Sequence, residues 1–158
     1  LVDLMAVEWV ARGYEAGDLE GAFLAVATDE DRSGNAAIYA DAVRARVLIN
    51  CLDDPPHCQF AYASIHRQGD LVIALSTTGK CPALAVRIRQ RLEKDYGAAY
   101  GEFLEIVGGW RECIAMKWPD FGTRRAIWYK LVDSPAIGLL EAGQRAEAIE
   151  ALEAILRE

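Results

Sequence analysis

The chain has 158 residues with 17 Lys or Arg against 24 Asp or Glu, so its formal net charge is −7. Hydrophobic residues make up 53%, which supplies enough apolar surface for a core and excludes disorder of the whole chain. The length predicts about one domain, or a domain with a small satellite. The acidic balance argues against a nucleic-acid partner, because a general nucleic-acid binder presents a basic face to the phosphates.

The longest stretch without Asp, Glu, Lys or Arg runs from Pro55 to His66 and contains two prolines. It is shorter than the ~20 apolar residues that a membrane helix needs, so we expect no membrane association. The sequence begins at Leu1 without a basic-then-apolar leader, which makes a cytoplasmic location the default expectation.

The four cysteines, Cys51, Cys58, Cys81 and Cys113, form no C-x-x-C pair, so they predict neither a zinc ribbon nor a thioredoxin-type motif. The one metal-like cluster is Cys51, His57 and Cys58. Adjacent His and Cys side chains point in different directions on most backbones. We therefore expect free thiols and no bound metal.

The first half alternates short apolar runs with a helical pattern, which is typical of parallel strands joined by crossover helices. Residues 22–27 and 47–52 are the predicted buried strands. Ser33 is the predicted cap of the helix between them. Four residues at spacings of three and four form its inward face: Ala36, Ala37, Ala40 and Val43.

Polar residues follow both predicted strands. Thr28 and Asp29 come after the first, and Asp53 and Asp54 come after the second, which two prolines end. Ligands of open parallel sheets bind outside the carboxyl ends of the strands, so this edge is the predicted binding edge. The alternative is that these residues are only solvated turn residues or helix caps.

The second half predicts a hairpin followed by helices. Residues 60–65 and 71–76 flank a turn of five residues, 66–70, which contains a glycine. Pro82 suits the first position of a helix, and Ser134-Pro135 opens a later, short one. The predicted inward residues are Leu84, Ala85, Ile88 and Leu92 in the first of these helices and Ile149, Leu152, Ile155 and Leu156 in the last helix of the chain.

The segment Thr77-Thr78-Gly79-Lys80-Cys81-Pro82 precedes that first helix. Its backbone N–H groups, a flexible Gly79 and the charge of Lys80 can hold an anion. It is not a P-loop, because no glycine stands five residues before Gly79. The alternative is a plain helix entry.

Three segments resemble one known family, the siroheme-synthase dehydrogenase/ferrochelatase family. Residues 18–29 are similar to its D-L-x-G-x-x-L-V-I-A-A-T-D motif, and residues 50–60 to N-V-x-D-D-P-x-x-C-x-F. Residues 71–85 are similar to L-x-I-A-I-S-T-G-G-x-S-P-x-L-A, with Thr78 and Cys81 in place of a Gly and a Ser. The motifs occur in the family's order, and the resemblance extends over about residues 5–158.

The resemblance implies an α/β fold, with an incomplete Rossmann-like parallel sheet followed by a β-hairpin dimerisation segment and a helical C-terminal region. We expect residues 1–57 to be the remainder of the NAD-binding domain, 58–96 the dimerisation hairpin and helix, and 97–158 the helical region. The family's glycine-rich G-x-G-x-x-A/Q loop is not in the sequence, which suggests an unrecorded gap near Leu4 and Met5. We expect the single-module form, without a methyltransferase domain.

The activity that the resemblance implies is NAD-dependent oxidation of precorrin-2 to sirohydrochlorin by a homodimer. Insertion of ferrous iron is a second activity that it leaves open. Asp53 matches the catalytic aspartate, while Thr28 and Asp29 would approach the nicotinamide or its ribose. The residues expected to bind the tetrapyrrole are Ser76, Thr77, Gly79, Lys80 and Cys81.

Two alternatives stay open on the sequence. One is an enzyme that only inserts metal, and the other is a non-catalytic module that senses a tetrapyrrole or a nucleotide. The missing glycine-rich loop favours the sensing module, whereas the presence of Asp53 argues against it. We expect His57 to be a polar loop residue rather than an acid or base.

Overall fold

The computed structural model describes residues 7–28 and 32–157. Contacts between Cα atoms divide the chain into two compact units, Leu1–Tyr62 and Ala63–Glu158. The division into 1–57, 58–96 and 97–158 stays a prediction, and the suggested gap at Leu4 and Met5 lies outside the described residues. No helix in the described ranges is both long enough and apolar enough to span a membrane.

The first unit contains a β-α-β arrangement. Strands β1 (Leu24–Ala27) and β2 (Leu48–Cys51) pair in parallel, and their last residues face each other. A short 3-10 turn (Arg32–Gly34) and helix α1 (Asn35–Ala45) connect them. The α/β pattern predicted from the apolar runs is therefore confirmed. The buried residues of this unit's core are Ala42, Val47, Ile49 and Cys51.

Four details of that prediction are wrong. The predicted inward residues of α1 are all exposed, and the side of the helix that packs on the core has the same spacing one residue earlier: Asn35, Ile38, Tyr39 and Ala42. Strand β1 is not buried, since its residues alternate between exposed and half-buried.

The strands are shorter than the runs 22–27 and 47–52, because ladder pairing holds over only part of each run. Ser33 does not cap the helix, since it lies inside the 3-10 turn. The helix begins at Asn35, one residue later than a cap at Ser33 predicts, and Gly34 occupies the cap position without a side-chain hydrogen bond.

Two polar contacts hold the segment that precedes β1. Arg12 donates two hydrogen bonds to Asp18, at 2.8 and 2.7 Å, and these lower the pKa of Asp18 to about 2. The Tyr14 hydroxyl donates to Asp41 of α1 at 2.8 Å. Desolvation, followed by that hydrogen bond, raises the pKa of Tyr14 to about 12. The second contact ties the segment to the helix.

The second unit begins with the predicted hairpin, made of β3 (Ser64–Gln68) and β4 (Leu71–Leu75) in antiparallel pairing. Its turn has two residues, Gly69 and Asp70, rather than the predicted five. A turn that short requires an unusual backbone, and Gly69 supplies it with a φ of +54°. The ladder therefore continues through His66, which is buried and bonds through Nε2 to a backbone carbonyl at 2.7 Å.

Six helices complete this unit. They are α2 (Pro82–Asp95), α3 (Ala98–Gly109), α4 (Arg111–Lys117), α5 (Phe121–Val132), α6 (Ala136–Glu141) and α7 (Arg145–Arg157). The predicted start of α2 at Pro82 and the apolar stripe of α7 are confirmed. The buried core residues are Ala99, Phe103, Ile106, Val107, Ile114, Ile127, Leu131, Ala136, Leu140, Ala148 and Leu152.

The predicted inward face of α2 is largely wrong. Ala85 is buried, whereas Leu84 and Ile88 are 51% and 41% exposed. The helix packs on β3 of the hairpin. A sheet of only two strands is too narrow to cover a full helix face, so apolar side chains beside the contact stay in solvent within this unit.

Candidate functional site

The carboxyl ends of β1 and β2 lie side by side. The Leu52 N–H donates to the carbonyl of Ala27 at 2.9 Å, so Thr28 and Asp53 leave the sheet at the same edge. Both residues are exposed. The shared edge predicted from the sequence is therefore confirmed, while the roles of its residues stay predictions. Asp29 lies outside the described residues.

Asp53 has a left-handed backbone, with a φ of +57°. Asp and Asn tolerate this conformation better than other non-glycine residues, because their short polar side chains bond locally. Within the described ranges no hydrogen bond or ion pair reaches the Asp53 carboxylate. The result is an exposed carboxylate, free for a ligand, on a sharp turn directly after a buried strand.

Asp54 has the opposite character, because two side chains hold it. Asn35 Nδ2 donates to Asp54 Oδ2 at 3.0 Å, and His57 Nδ1 lies 2.8 Å from the same oxygen. The hydrogen bond from Asn35, followed by that of His57, lowers the pKa of Asp54. The His57 ring also makes an edge contact with Tyr39 of α1, at 5.4 Å between ring centroids. Asp54 therefore fastens the turn after β2 to α1.

Sequence reasoning missed the part that Asn35 plays. Its side chain is 1% exposed, and its Oδ1 is buried without a hydrogen-bond partner in the described part of the chain. The only signal available was the position of Asn35 at the start of a helix that follows a strand end. His57 is a loop residue, as expected, but it is bound to Asp54 rather than simply solvated.

An apolar cavity of about 290 Å³ lies against β1 in the first unit. Residues of β1 form part of its wall, and Thr28, at the binding edge, also lines it. The other lining residues are Tyr14, Leu19, Ala25, Val26, Ala27, Ile38 and Ile49. Such a cavity suits a flat, mostly apolar ring with a polar group at its rim.

The loop between β4 and α2 belongs to the second unit. Its N–H groups are partly used inside the loop: Thr78 N–H donates to Ser76 Oγ at 3.0 Å, and Cys81 N–H donates to Thr77 Oγ1 at 3.3 Å. Lys80 N–H donates to the Thr77 carbonyl at 3.0 Å. The predicted anion loop is thus a tight turn, which leaves fewer backbone donors than the sequence suggested. The exposed Lys80 supplies the charge.

Thr78 carries a φ of +53°, a conformation that is rare for a β-branched residue. Gly79, next to it, also has a positive φ, of +76°. The family motif has glycine at the position of Thr78, and the backbone gives the physical reason for that preference. The substitution leaves the turn intact but strained.

The cysteines do not form a metal centre in the described residues, where no group of three His, Cys, Asp or Glu side chains could hold an ion. All four thiols are free. Burial raises the pKa of Cys51. The Cys58 thiol donates toward the carbonyls of Cys51 and Asp54, at 3.1 and 3.3 Å. Cys51 and Cys58 therefore support the loop after β2.

Three family models match consecutive stretches of the chain. An NAD(P)-binding model matches residues 3–64, a model of the sirohaem biosynthesis protein central region matches 68–95, and the sirohaem synthase dimerisation region matches 99–156. Together they leave only short stretches unmatched. The chain belongs to the siroheme synthase family.

Relatives agree with this membership. The chain is 35% identical over 147 residues to siroheme synthase 1 of Serratia proteamaculans, which covers 93% of this chain and 31% of that protein. It is 36% identical over 149 residues to the siroheme synthase of Pseudomonas putida, covering 94% of this chain and 32% of that protein. The chain thus spans about a third of the length of the curated relatives it matches.

A solved structure, SirC, a precorrin-2 dehydrogenase, has a similar fold. The TM-score is 0.62 at 19% sequence identity, and the match covers 92% of this chain and 68% of that one. At this identity the likeness concerns the fold. It agrees with the small parallel sheet, the hairpin and the C-terminal helices described above.

Proposed function

We propose that this chain takes part in the NAD-dependent oxidation of precorrin-2 to sirohydrochlorin, in siroheme biosynthesis. The observation that carries the proposal is Asp53, an exposed and unpaired carboxylate at the carboxyl edge of the parallel strands in a member of this family. Oxidation removes a hydride and a proton from the substrate. We infer that Asp53 accepts the proton.

The first unit fits part of an NAD molecule. When bound, NAD accepts the hydride. The cavity beside β1, which Thr28 lines, suits the nicotinamide and its ribose, and we assign Asp29 to the same group. The Oδ1 atom of Asn35 is buried and accepts no hydrogen bond from any group in the described part of the chain. Residues 7–28 and 32–157 contain no G-x-G-x-x-G loop for the pyrophosphate.

The neighbouring carboxylates Asp53 and Asp54 have different roles in this proposal. Asp54 is bound by Asn35 and His57, so it stays ionised and keeps the turn in place. Asp53 has no such bonds and can exchange a proton with a substrate. This division explains why adjacent aspartates need not be equivalent.

The second unit would bind the tetrapyrrole and pair two subunits. Its Ser76–Cys81 loop exposes Lys80, whose charge suits a ring system that bears many carboxylates. We propose that the protein is a cytoplasmic homodimer and that ferrous iron is a second substrate. The match to a dimerisation region over residues 99–156 supports the pairing.

The test is to incubate the complete protein with precorrin-2, with and without NAD⁺, and to follow NADH and sirohydrochlorin by absorbance. The proposal expects sirohydrochlorin only when NAD⁺ is present. Metal insertion into supplied sirohydrochlorin without any oxidation would instead identify an enzyme that only inserts metal. Binding without turnover of either kind would identify a sensing module.

A further inference from the structure

Asp53 lies in a turn that β2 holds at one end. The N–H of Asp54 donates to the carbonyl of Cys51 at 3.2 Å, so residues 51–54 form a hydrogen-bonded turn with Asp53 in its third position. Cys51 is the last residue of β2, and its pairing with β1 fixes that end of the turn. The Asp53 side chain is exposed, so its direction is set by the backbone of the turn rather than by packing.

The other end of the turn is held at Asp54. Asn35 Nδ2 and His57 Nδ1 both lie within hydrogen-bond distance of Asp54 Oδ2, at 3.0 and 2.8 Å. His57 belongs to the same loop, three residues after Asp54, whereas Asn35 is the first residue of α1. Of these two hydrogen bonds, only that of Asn35 joins the turn to a different element.

Asn35 is a costly residue for the position that it occupies. It is 1% exposed, and its Oδ1 has no hydrogen-bond partner in the described part of the chain. A buried acceptor without a donor destabilises the folded state, and an apolar side chain at the same place would avoid that loss. Residues that lower stability in this way are expected at functional sites. What Asn35 provides is the hydrogen bond to Asp54.

We propose that Asn35 is a positioning residue for the oxidation of the substrate. It holds Asp54 against the start of α1, and through the turn it sets where the Asp53 carboxylate meets the substrate. The inference rests on the proposed function, because it concerns the reaction in which Asp53 accepts the proton. A displacement of about 1 Å at a reacting group can lower a rate by about 10²-fold.

The test variant is Asn35→Leu, which removes both polar atoms and keeps the branching of the side chain. NADH production from precorrin-2 by the complete protein gives kcat and the KM values for precorrin-2 and NAD⁺. We expect kcat to fall about tenfold and both KM values to stay within about twofold, because His57 still bonds Asp54 and the turn is only loosened. Tm should change by less than about 3 °C, since the lost bond and the removed buried acceptor offset each other.

Ala42→Gly is the control in the same helix. Ala42 is buried in the core of the first unit, so this variant loses packing and helix propensity without a change at Asp54. Its Tm should fall, while its kcat stays within about twofold of the wild type at a temperature where the variant is folded. Equal losses of kcat in Asn35→Leu and Ala42→Gly would show a merely structural effect and overturn the proposal.

The decisive comparison uses Asp53→Asn as the background. This variant has no carboxylate left to position at residue 53, so adding Asn35→Leu should lower its residual kcat by less than about twofold. A structural role of Asn35 would instead multiply the two losses. Multiplied losses would overturn the proposal, and so would a wild-type kcat in Asn35→Leu or a raised KM with an unchanged kcat.

These outcomes are separable from failure of the proposed function. A wild type that produces no NADH from precorrin-2 overturns the dehydrogenase proposal and the role of Asn35 together. An active wild type that loses activity in Asp53→Asn but not in Asn35→Leu keeps the dehydrogenase proposal and overturns only the role of Asn35. Full activity in Asp53→Asn overturns the roles of Asp53 and Asn35 and leaves the oxidation itself in place.

Discussion

Thr78 shows how a single residue can strain a turn that a family motif fills with glycine. Its φ of +53° costs about 1 kcal/mol or more for a residue with a β-carbon. Thr78→Gly should therefore raise the free energy of unfolding by about 0.5 kcal/mol or more, measured by urea denaturation. Thr77→Gly is the matched control, because the Thr77 hydroxyl accepts the Cys81 N–H, and it should destabilise. A loss of stability in Thr78→Gly would contradict this account.

Asp54 is the residue through which pH should act on the first unit. Asn35 and then His57 lower its pKa in the folded state, so its stabilising effect is complete above its unfolded pKa of about 4. That effect is lost as pH falls through the lower, folded pKa. Asp54→Asn should be less stable than wild type at pH 7, and the difference in Tm should shrink below about pH 4. A difference that stays constant with pH would show that charge plays no part.

Helix α3 depends on one glycine for its approach to the hairpin. A β-carbon at Gly101 would lie 2.9 Å from the carbonyl oxygen of Gln68, the last residue of β3. Gly101→Ala should therefore destabilise the protein by about 1–3 kcal/mol, although alanine favours helix formation. Gly108→Ala in the same helix meets open space and should stabilise by about 0.5–1 kcal/mol. Urea denaturation of both variants tests the contact, and equal effects would refute it.

The elements differ in how far the sequence predicts them. The order of the β-α-β unit and the buried face of α7 follow from the apolar pattern. The buried face of α1 does not, because its apolar residues offer two faces of equal spacing and only the packing on β2 selects the one with Asn35 and Ala42. The hairpin turn was predicted too long, since the strands extend through the buried His66 and a positive φ at Gly69 allows two residues to close it. The buried face of α2 differs from the prediction, because the spacing of apolar residues does not indicate how wide the sheet is on which the helix packs.

The candidate site also has features that the sequence predicts and features that it does not. The predicted ends of the two strands were enough to assign Thr28 and Asp53 to the same edge of the sheet, and the parallel pairing agrees. The Asn35–Asp54 bond joins residues 19 positions apart, and only the packing of α1 against β2 brings them together. Distant polar pairing of this kind leaves no local signal in a single sequence.

At the scale of the molecule, the exposed apolar side chains favour pairing of two subunits. Leu84 and Ile88 on α2, with Ile65 and Val72 on the hairpin, are each more than two-fifths exposed. We expect sedimentation equilibrium at micromolar concentration to give a homodimer, and Leu84→Glu/Ile88→Glu to shift it toward monomer. Val43→Glu, at an exposed residue of α1 in the first unit, is the control. A monomeric wild type would remove the claim.

The central claim concerns Asp53, and one comparison tests it most directly. Asn keeps the shape and the left-handed backbone of Asp53 but cannot accept a proton, so Asp53→Asn should fold normally. NADH production from precorrin-2 by the complete protein should fall by ~10²- to 10⁴-fold in Asp53→Asn. It should fall much less in Asp54→Asn, where the turn is loosened and the free carboxylate remains. Wild-type NADH production by Asp53→Asn would contradict the assignment.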